Sequence, residues 1–203
     1  MELVKLLIAD IDLAKSHHHY LLKNISEAQK EKMLRYKNEK DQLRSLLSSY
    51  LVNQLSKEEP KKNQMGKPYF DNGPYFNISH SGKYVIMAIA NQEVGVDIEE
   101  NIEKNMDVLL KIFNEAEAKM IKEHADFYYL WCAKESLIKC MGSSVSKIKE
   151  VPSLPLNGLK TFKGIDYQCQ SFIYDKHIIS ITRQGKEPFE IKTEIVKKIP
   201  LEI

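Results

Sequence analysis

The stretch VGVDIEE, from Val94 to Glu100, decides how the chain divides. Val94, Val96 and Ile98 alternate with Gly95, Asp97 and Glu99, and the two-residue period of a strand puts the apolar side chains on one face and both acids on the other. Before this strand the pattern runs strand, long helix, short strands; after Glu100 it turns helical and then returns to strands. The expected architecture is α+β, with an N-terminal lobe over residues 1–100 and a C-terminal lobe over 101–203. No linker rich in Gly, Ser or Pro separates the two, which predicts lobes that share a sheet edge and a cleft.

Upstream, MELVKLLIADID has acids on its flanks and no small-residue cleavage pattern, so it reads as an opening strand rather than a signal peptide. Ser26 is the expected N-cap of a helical region running toward Ser56, with Leu43, Leu46, Leu47, Tyr50, Leu51 and Leu55 at three- and four-residue steps. The polar stretch KEEPKKNQMGKP breaks it at Pro60 and Pro68. Strands are expected around Phe76 to Ser79 and Tyr84 to Ala90, with Asn91-Gln92 as a hairpin turn. Downstream, Asn114 and Glu117 have capping-box spacing and predict a helix through about His124. A second helix is expected from about Asp126 to a stop at Gly142, and the clearest strand runs beyond it are Phe172 to Tyr174 and Ile178 to Thr182.

The 203 residues are 43% hydrophobic and 29% charged, ordinary for a globular protein, and the longest apolar run, Val85 to Ala90, is too short to cross a bilayer. A net charge of +2 offers no global argument for nucleic acid. Locally the balance differs, with seven basic residues against four acids from Lys23 to Arg44. Three cysteines without CxxC spacing disfavour a disulfide framework and a zinc site, leaving buried thiols in a cytoplasmic protein. His17, His18 and His19 cannot all face one ion and are read as solvated surface.

Asp97 and Glu99 project from one strand face with Cα atoms roughly 7 Å apart, a spacing that suits one hard cation, although a lone D-x-E is more often a solvent-facing strand. On the helix after Asp126, the residues Phe127, Leu130, Trp131, Leu137, Ile138 and Met141 fill one apolar arc, and Lys134 falls in its middle. A lysine there must snorkel, pair or meet an anion. Glu135 sits at the edge of the arc and Lys139 one turn later on its side. Three carboxylates from two elements, with lysines, form a coherent site for a metal-bound phosphate. In NISHSG, Asn77 to Gly82, neighbouring residues on a strand face opposite ways, so Ser79 or Ser81 cannot easily give a proton to His80; anion contact and a local turn remain open. No P-loop and no dinucleotide fingerprint occurs.

Taken in order, GKPYF (Gly66 to Phe70), FNISHSG (Phe76 to Gly82), GVDIE (Gly95 to Glu99), FNEAE (Phe113 to Glu117) and WCAKESLIK (Trp131 to Lys139) resemble the 4′-phosphopantetheinyl transferases of the two-lobed, surfactin-synthetase-activating type. The resemblance implies two similar lobes related by a pseudo-twofold axis with the active-site cleft between them, and a monomer. It implies transfer of 4′-phosphopantetheine from coenzyme A to a serine of an apo acyl, peptidyl or aryl carrier protein, releasing adenosine 3′,5′-bisphosphate. It makes Asp97, Glu99 and Glu135 the ligands of Mg2+, and Glu135, Glu117 and Lys139 the catalytic groups. Lys134 and Lys139 would hold phosphate oxygens, Ser79 and His80 would contact the pyrophosphate and 3′-phosphate, Lys32 and Arg44 the 3′-phosphate, and Gly66, Lys67 and Pro68 the adenine. Where the family often has a basic residue, this chain has Gln29 and Glu100. The alternatives are a non-catalytic coenzyme A or carrier-protein binding module and a magnesium-dependent phosphohydrolase. Neither nucleic acid nor membrane is an expected partner.

Overall fold

The computed structural model describes residues 2–200. In chain order the elements are β1 (Glu2–Asp10), α1 (Ile11–Ser16), α2 (His18–Lys23), α3 (Glu27–Leu34), α4 (Glu39–Asn53), β2 (Lys61–Lys62), β3 (Pro68–Tyr69), β4 (Tyr75–Ser81), β5 (Tyr84–Ala90) and β6 (Val94–Glu100). They continue as α5 (Met106–Leu110), α6 (Glu115–Met120), α7 (His124–Cys140), a 3-10 turn at Val145–Lys147, β7 (Asn157–Phe162), β8 (Ile165–Tyr174), β9 (His177–Gln184) and β10 (Phe189–Val196). The class is mixed α+β, as expected.

Local signals formed the helices where they were read. Ser26 and Gln29 close a reciprocal capping box at α3, and Asn114 and Glu117 do the same at α6. Gly142 follows α7 with φ +60, the left-handed stop that glycine adopts without strain. The helical region from Ser26 is not continuous, however. It breaks after Leu34 and restarts with Asn38 as a new N-cap, whose side chain accepts from the Lys40 amide. The helix begun at Asn114 likewise ends at Met120, short of His124.

Two four-stranded sheets carry the core, in orders β10-β1-β5-β4 and β6-β9-β8-β7. The outer face of the first sheet, with Leu7, Ala9, Val85 and Met87, packs on α4 through Leu46, Leu47 and Tyr50. Its inner face, with Val4, Leu6, Ile8 and Ile86, meets Val94, Val96, Ile98, Ile179 and Ile181 of the second sheet. Beyond the second sheet lies α7, whose Ala133 and Leu137 pack with Tyr167 and Cys169. β1 is therefore buried on both faces, and its apolar run Leu6-Leu7-Ile8-Ala9 serves two cores.

Two strands cross the expected division at residue 100. β6 pairs antiparallel with β9, Asp97 opposite Ser180, and so belongs to the second sheet. β10 runs parallel to β1, Val4 opposite Ile191, and so belongs to the first. The Asn91-Gln92 turn is thus not a hairpin, because β5 and β6 lie in different sheets; the hairpin is β4–β5, with Ser81 opposite Tyr84.

Candidate active site

β6 presents Asp97 and Glu99 on the face away from the apolar core, as its alternation requires. Opposite them, α7 is held unusually close, because Gly95 has no side chain: a Cβ there would lie 2.0 Å from the Ser136 carbonyl oxygen. That approach brings Lys139 onto Asp97, with Nζ 2.5 Å from Oδ1, and leaves Lys139 3.4 Å from Glu135 Oε2. A third element closes the group. Ser79 of β4 donates to Asp97 Oδ1 at 2.9 Å and accepts from Lys139 Nζ at 3.1 Å.

These residues line a pocket of about 270 Å³ together with Lys32, Ser45, Ser48 and His80. It adjoins a larger one of about 540 Å³, also lined by Lys32 and Ser48, where Arg35, Lys62, Gly66 and Pro68 contribute. Lys67 faces a separate hollow and is engaged structurally: its Nζ bonds Glu93 Oε2 at 2.6 Å and the carbonyls of Val94 and Cys140, capping the C-terminus of α7.

Burial, followed by the Asp97 charge, raises the pKa of Glu99 above the usual carboxylate value, against the opposing Ser81 hydrogen bond. Burial also raises Glu135, with Lys139 pulling the other way. For Lys139 burial acts downward, but Asp97 and Glu135 outweigh it and the ammonium is held charged. His80 lines the pocket, and desolvation there followed by the Arg44 charge lowers its pKa below the usual imidazole value. Lys32 is lowered by burial and by Lys62. All three thiols are buried with raised pKa, Cys140 to about 12, so none is an available nucleophile.

Two expected participants lie elsewhere. Lys134 is fully buried under α6 and pairs with Glu117 at 2.5 Å, while Ser153 donates to the same Glu117 oxygen. Neither lines either pocket. The lysine in the apolar arc is paired with a carboxylate from another helix. Arg44 is also committed, to Asp41 at 2.7 Å and to the Gly82 carbonyl. The Ser-His pairing is absent as expected, since Ser79 and Ser81 donate to Asp97 and Glu99.

The residues that were not anticipated are Ser45 and Ser48, whose buried hydroxyls have no partner in the described structure, and Asn77. Small polar residues interrupting the leucine stripe of α4 were the available signal. A divalent cation suits this group on one observation: Asp97 Oδ2 is buried and without a hydrogen-bond partner, on a carboxylate that lines the same pocket as Glu99 and Glu135. Among the described residues, no three ligands are already gathered around a common point, and Lys139 meanwhile supplies the counter-charge.

A family model for the 4′-phosphopantetheinyl transferase superfamily matches residues 93–182, the span that carries β6 and α7. The 4′-phosphopantetheinyl transferase gsp of Aneurinibacillus migulanus is 33% identical over 174 residues, covering 78% of this chain and 69% of that protein. The 4′-phosphopantetheinyl transferase Sfp of Bacillus subtilis (strain 168) is 32% identical over 185 residues, covering 83% and 80%.

Proposed function

Because the chain belongs to the 4′-phosphopantetheinyl transferase family, we propose that it transfers 4′-phosphopantetheine from coenzyme A to a serine of an apo acyl or peptidyl carrier protein. The observation that carries this reading is the meeting of Asp97 and Glu99 from β6 with Glu135 and Lys139 from α7 in one pocket. We read the two sheets with their helices as two lobes related by a pseudo-twofold axis, the pocket being the cleft between them.

Asp97, Glu99 and Glu135 are the residues that would hold magnesium, which when bound offsets charge on the donor pyrophosphate. Lys139 turns its ammonium from Asp97 to a phosphate oxygen and neutralises charge that builds on the leaving group. The carrier serine oxygen attacks the phosphorus next to the pantetheine, the bond from that phosphorus to the bridging oxygen breaks, and adenosine 3′,5′-bisphosphate leaves. Glu135, from its place at the pocket, takes the serine proton directly or through water. Lys32, with Gly66 and Pro68 beyond it, lies along the adjoining pocket where the nucleotide end fits.

The test is intact-mass analysis of an apo carrier incubated with coenzyme A, magnesium and this protein. The carrier should gain about 340 Da, the mass of the transferred group. No gain across several acyl and peptidyl carriers refutes the reading, and binding of coenzyme A without any gain assigns the chain to a binding module instead.

A further inference from the structure

The edges of the two sheets meet at the pocket without a backbone ladder. β4 ends the first sheet and β6 ends the second, and successive same-face side chains of β4 span the gap. Asn77 Oδ1 accepts from the Val96 amide at 3.0 Å. Ser79 donates to Asp97 Oδ1 at 2.9 Å. Ser81 donates to Glu99 Oε2 at 3.0 Å and accepts from the Glu100 amide at 3.1 Å.

The spacing is set by geometry on both sides. Residues 77, 79 and 81 share one face of β4 by the period of two, and they meet 96, 97, 99 and 100 at the same rise per residue. Asn77 and Ser81 satisfy amides on the open edge of β6, which would otherwise be buried donors without partners. Ser79 and Ser81 each take one carboxylate oxygen, and Oδ2 of Asp97 is left buried and unpartnered. A hydroxyl that both donates to a carboxylate and accepts from the next residue's amide fixes the side chain relative to its own strand.

We propose that Asn77, Ser79 and Ser81 are positioning residues whose ladder from one sheet to the other sets where Asp97 and Glu99 stand, and that the Ser81 hydroxyl thereby governs how tightly this pair takes a divalent cation. The proposal rests on the reading of Asp97 and Glu99 as cation ligands. Loss of a hydrogen-bond partner that orients a ligand costs about 10- to 100-fold in metal affinity. Among the three, Ser81 is the clearest probe, because Ser79 also bonds Lys139 and Asn77 touches only backbone.

The experiment measures manganese binding to the purified full chain by electron paramagnetic resonance, with neither coenzyme A nor carrier present. Ser81→Ala should raise the Kd for manganese by about 10-fold, while Ser81→Thr, which keeps the hydroxyl, should stay within about 2-fold of the parent. Ser81→Cys, of similar size and a weaker donor, should fall between them. In the carrier assay, Ser81→Ala should need correspondingly more metal for half its maximal rate with an unchanged KM for carrier. Equal manganese affinity in the parent and Ser81→Ala overturns the proposal even if the melting temperature drops, and so does a parent that binds no manganese. If Ser81→Ala does not fold, equal affinities of Ser81→Thr and Ser81→Cys overturn it. Because the readout needs no donor or carrier, the stated order of manganese affinities with no carrier labelling would keep the ladder and refute the transferase reading.

Discussion

Lys134 and Lys139 sit on one helix and meet different environments. Lys134 has no exposed surface and is neutralised by Glu117, an arrangement whose disruption leaves a buried charge uncompensated at a cost of about 3–5 kcal/mol. Lys139 keeps about a quarter of its side chain exposed and faces Asp97 and Glu135, and burial strains Glu135 and, on the same pocket wall, Glu99. The strain has a sign. An acid whose pKa is raised in the fold contributes stability that is fully present below its unfolded value, near 4.5, and is lost as pH rises through the folded value. Glu99 therefore weakens the fold at neutral pH, a cost held for the sake of charge in the pocket. Glu99→Gln should raise stability near neutral pH by about 1 kcal/mol and abolish metal-dependent transfer. The gain should vanish below about pH 4.5, where Glu99 in the parent is protonated as well. Thermal melts of both proteins across pH check this, and a Glu99→Gln protein no more stable than its parent at neutral pH contradicts it. Lys134 also marks how far a single residue is legible. An apolar arc shows that such a lysine needs an anion, but Glu117 lies on another helix, 17 residues away, and local periodicity says nothing of which partner tertiary packing will bring.

Among the elements, the contact between β6 and α7 positions the chemistry. Gly95 is its hinge point: a Cβ there would also lie 2.3 Å from the Cys140 amide nitrogen, and backbone on the opposing helix cannot step aside as a flexible side chain would. Gly95→Ala should destabilise the protein by about 3 kcal/mol and, because α7 carries both Glu135 and Lys139, should lower turnover in the molecules that remain folded. Urea denaturation paired with initial rates of carrier labelling checks both, and a parent-like midpoint with parent-like turnover would falsify the assignment of that contact. The strand and the helix were each legible because their signals are local: alternation through Val94–Glu100, and a 3.6-residue stripe ended by Gly142. The N-cap at Ser26 and the capping box at Asn114 were legible for the same reason. What local signals do not carry is the partner of a strand. Val94, Val96 and Ile98 announce a face to be buried, but both sheets offer an apolar face, and only the crossing between Ala90 and Val94 assigns β6 to the second sheet.

The whole molecule is tied together by that assignment and by the return of β10 to β1. The core between the sheets mixes Val4, Leu6 and Ile86 with Val96, Ile98 and Ile181, so neither sheet retains a complete apolar interior if the other melts. β1 has β10 on one side and β5 on the other, so its central place in the first sheet depends on residues from the far end of the chain. A boundary at residue 100 would leave the first sheet without β10 and deprive the second of β6, the strand that bears Asp97 and Glu99. Units that share a core and exchange strands unfold together, whereas units joined only by a linker melt separately. Trp131, the single tryptophan, reports on α7 through its fluorescence, while far-ultraviolet circular dichroism reports on the helices of both halves. In urea the two signals should follow one curve with a common midpoint. Midpoints separated by more than about 0.5 M would show that α7 and its sheet open while the rest holds, and would overturn the shared core as the unit of stability. A common midpoint would also fit the chemistry, since a pocket built from β4, β6 and α7 keeps its geometry only while both sheets stand.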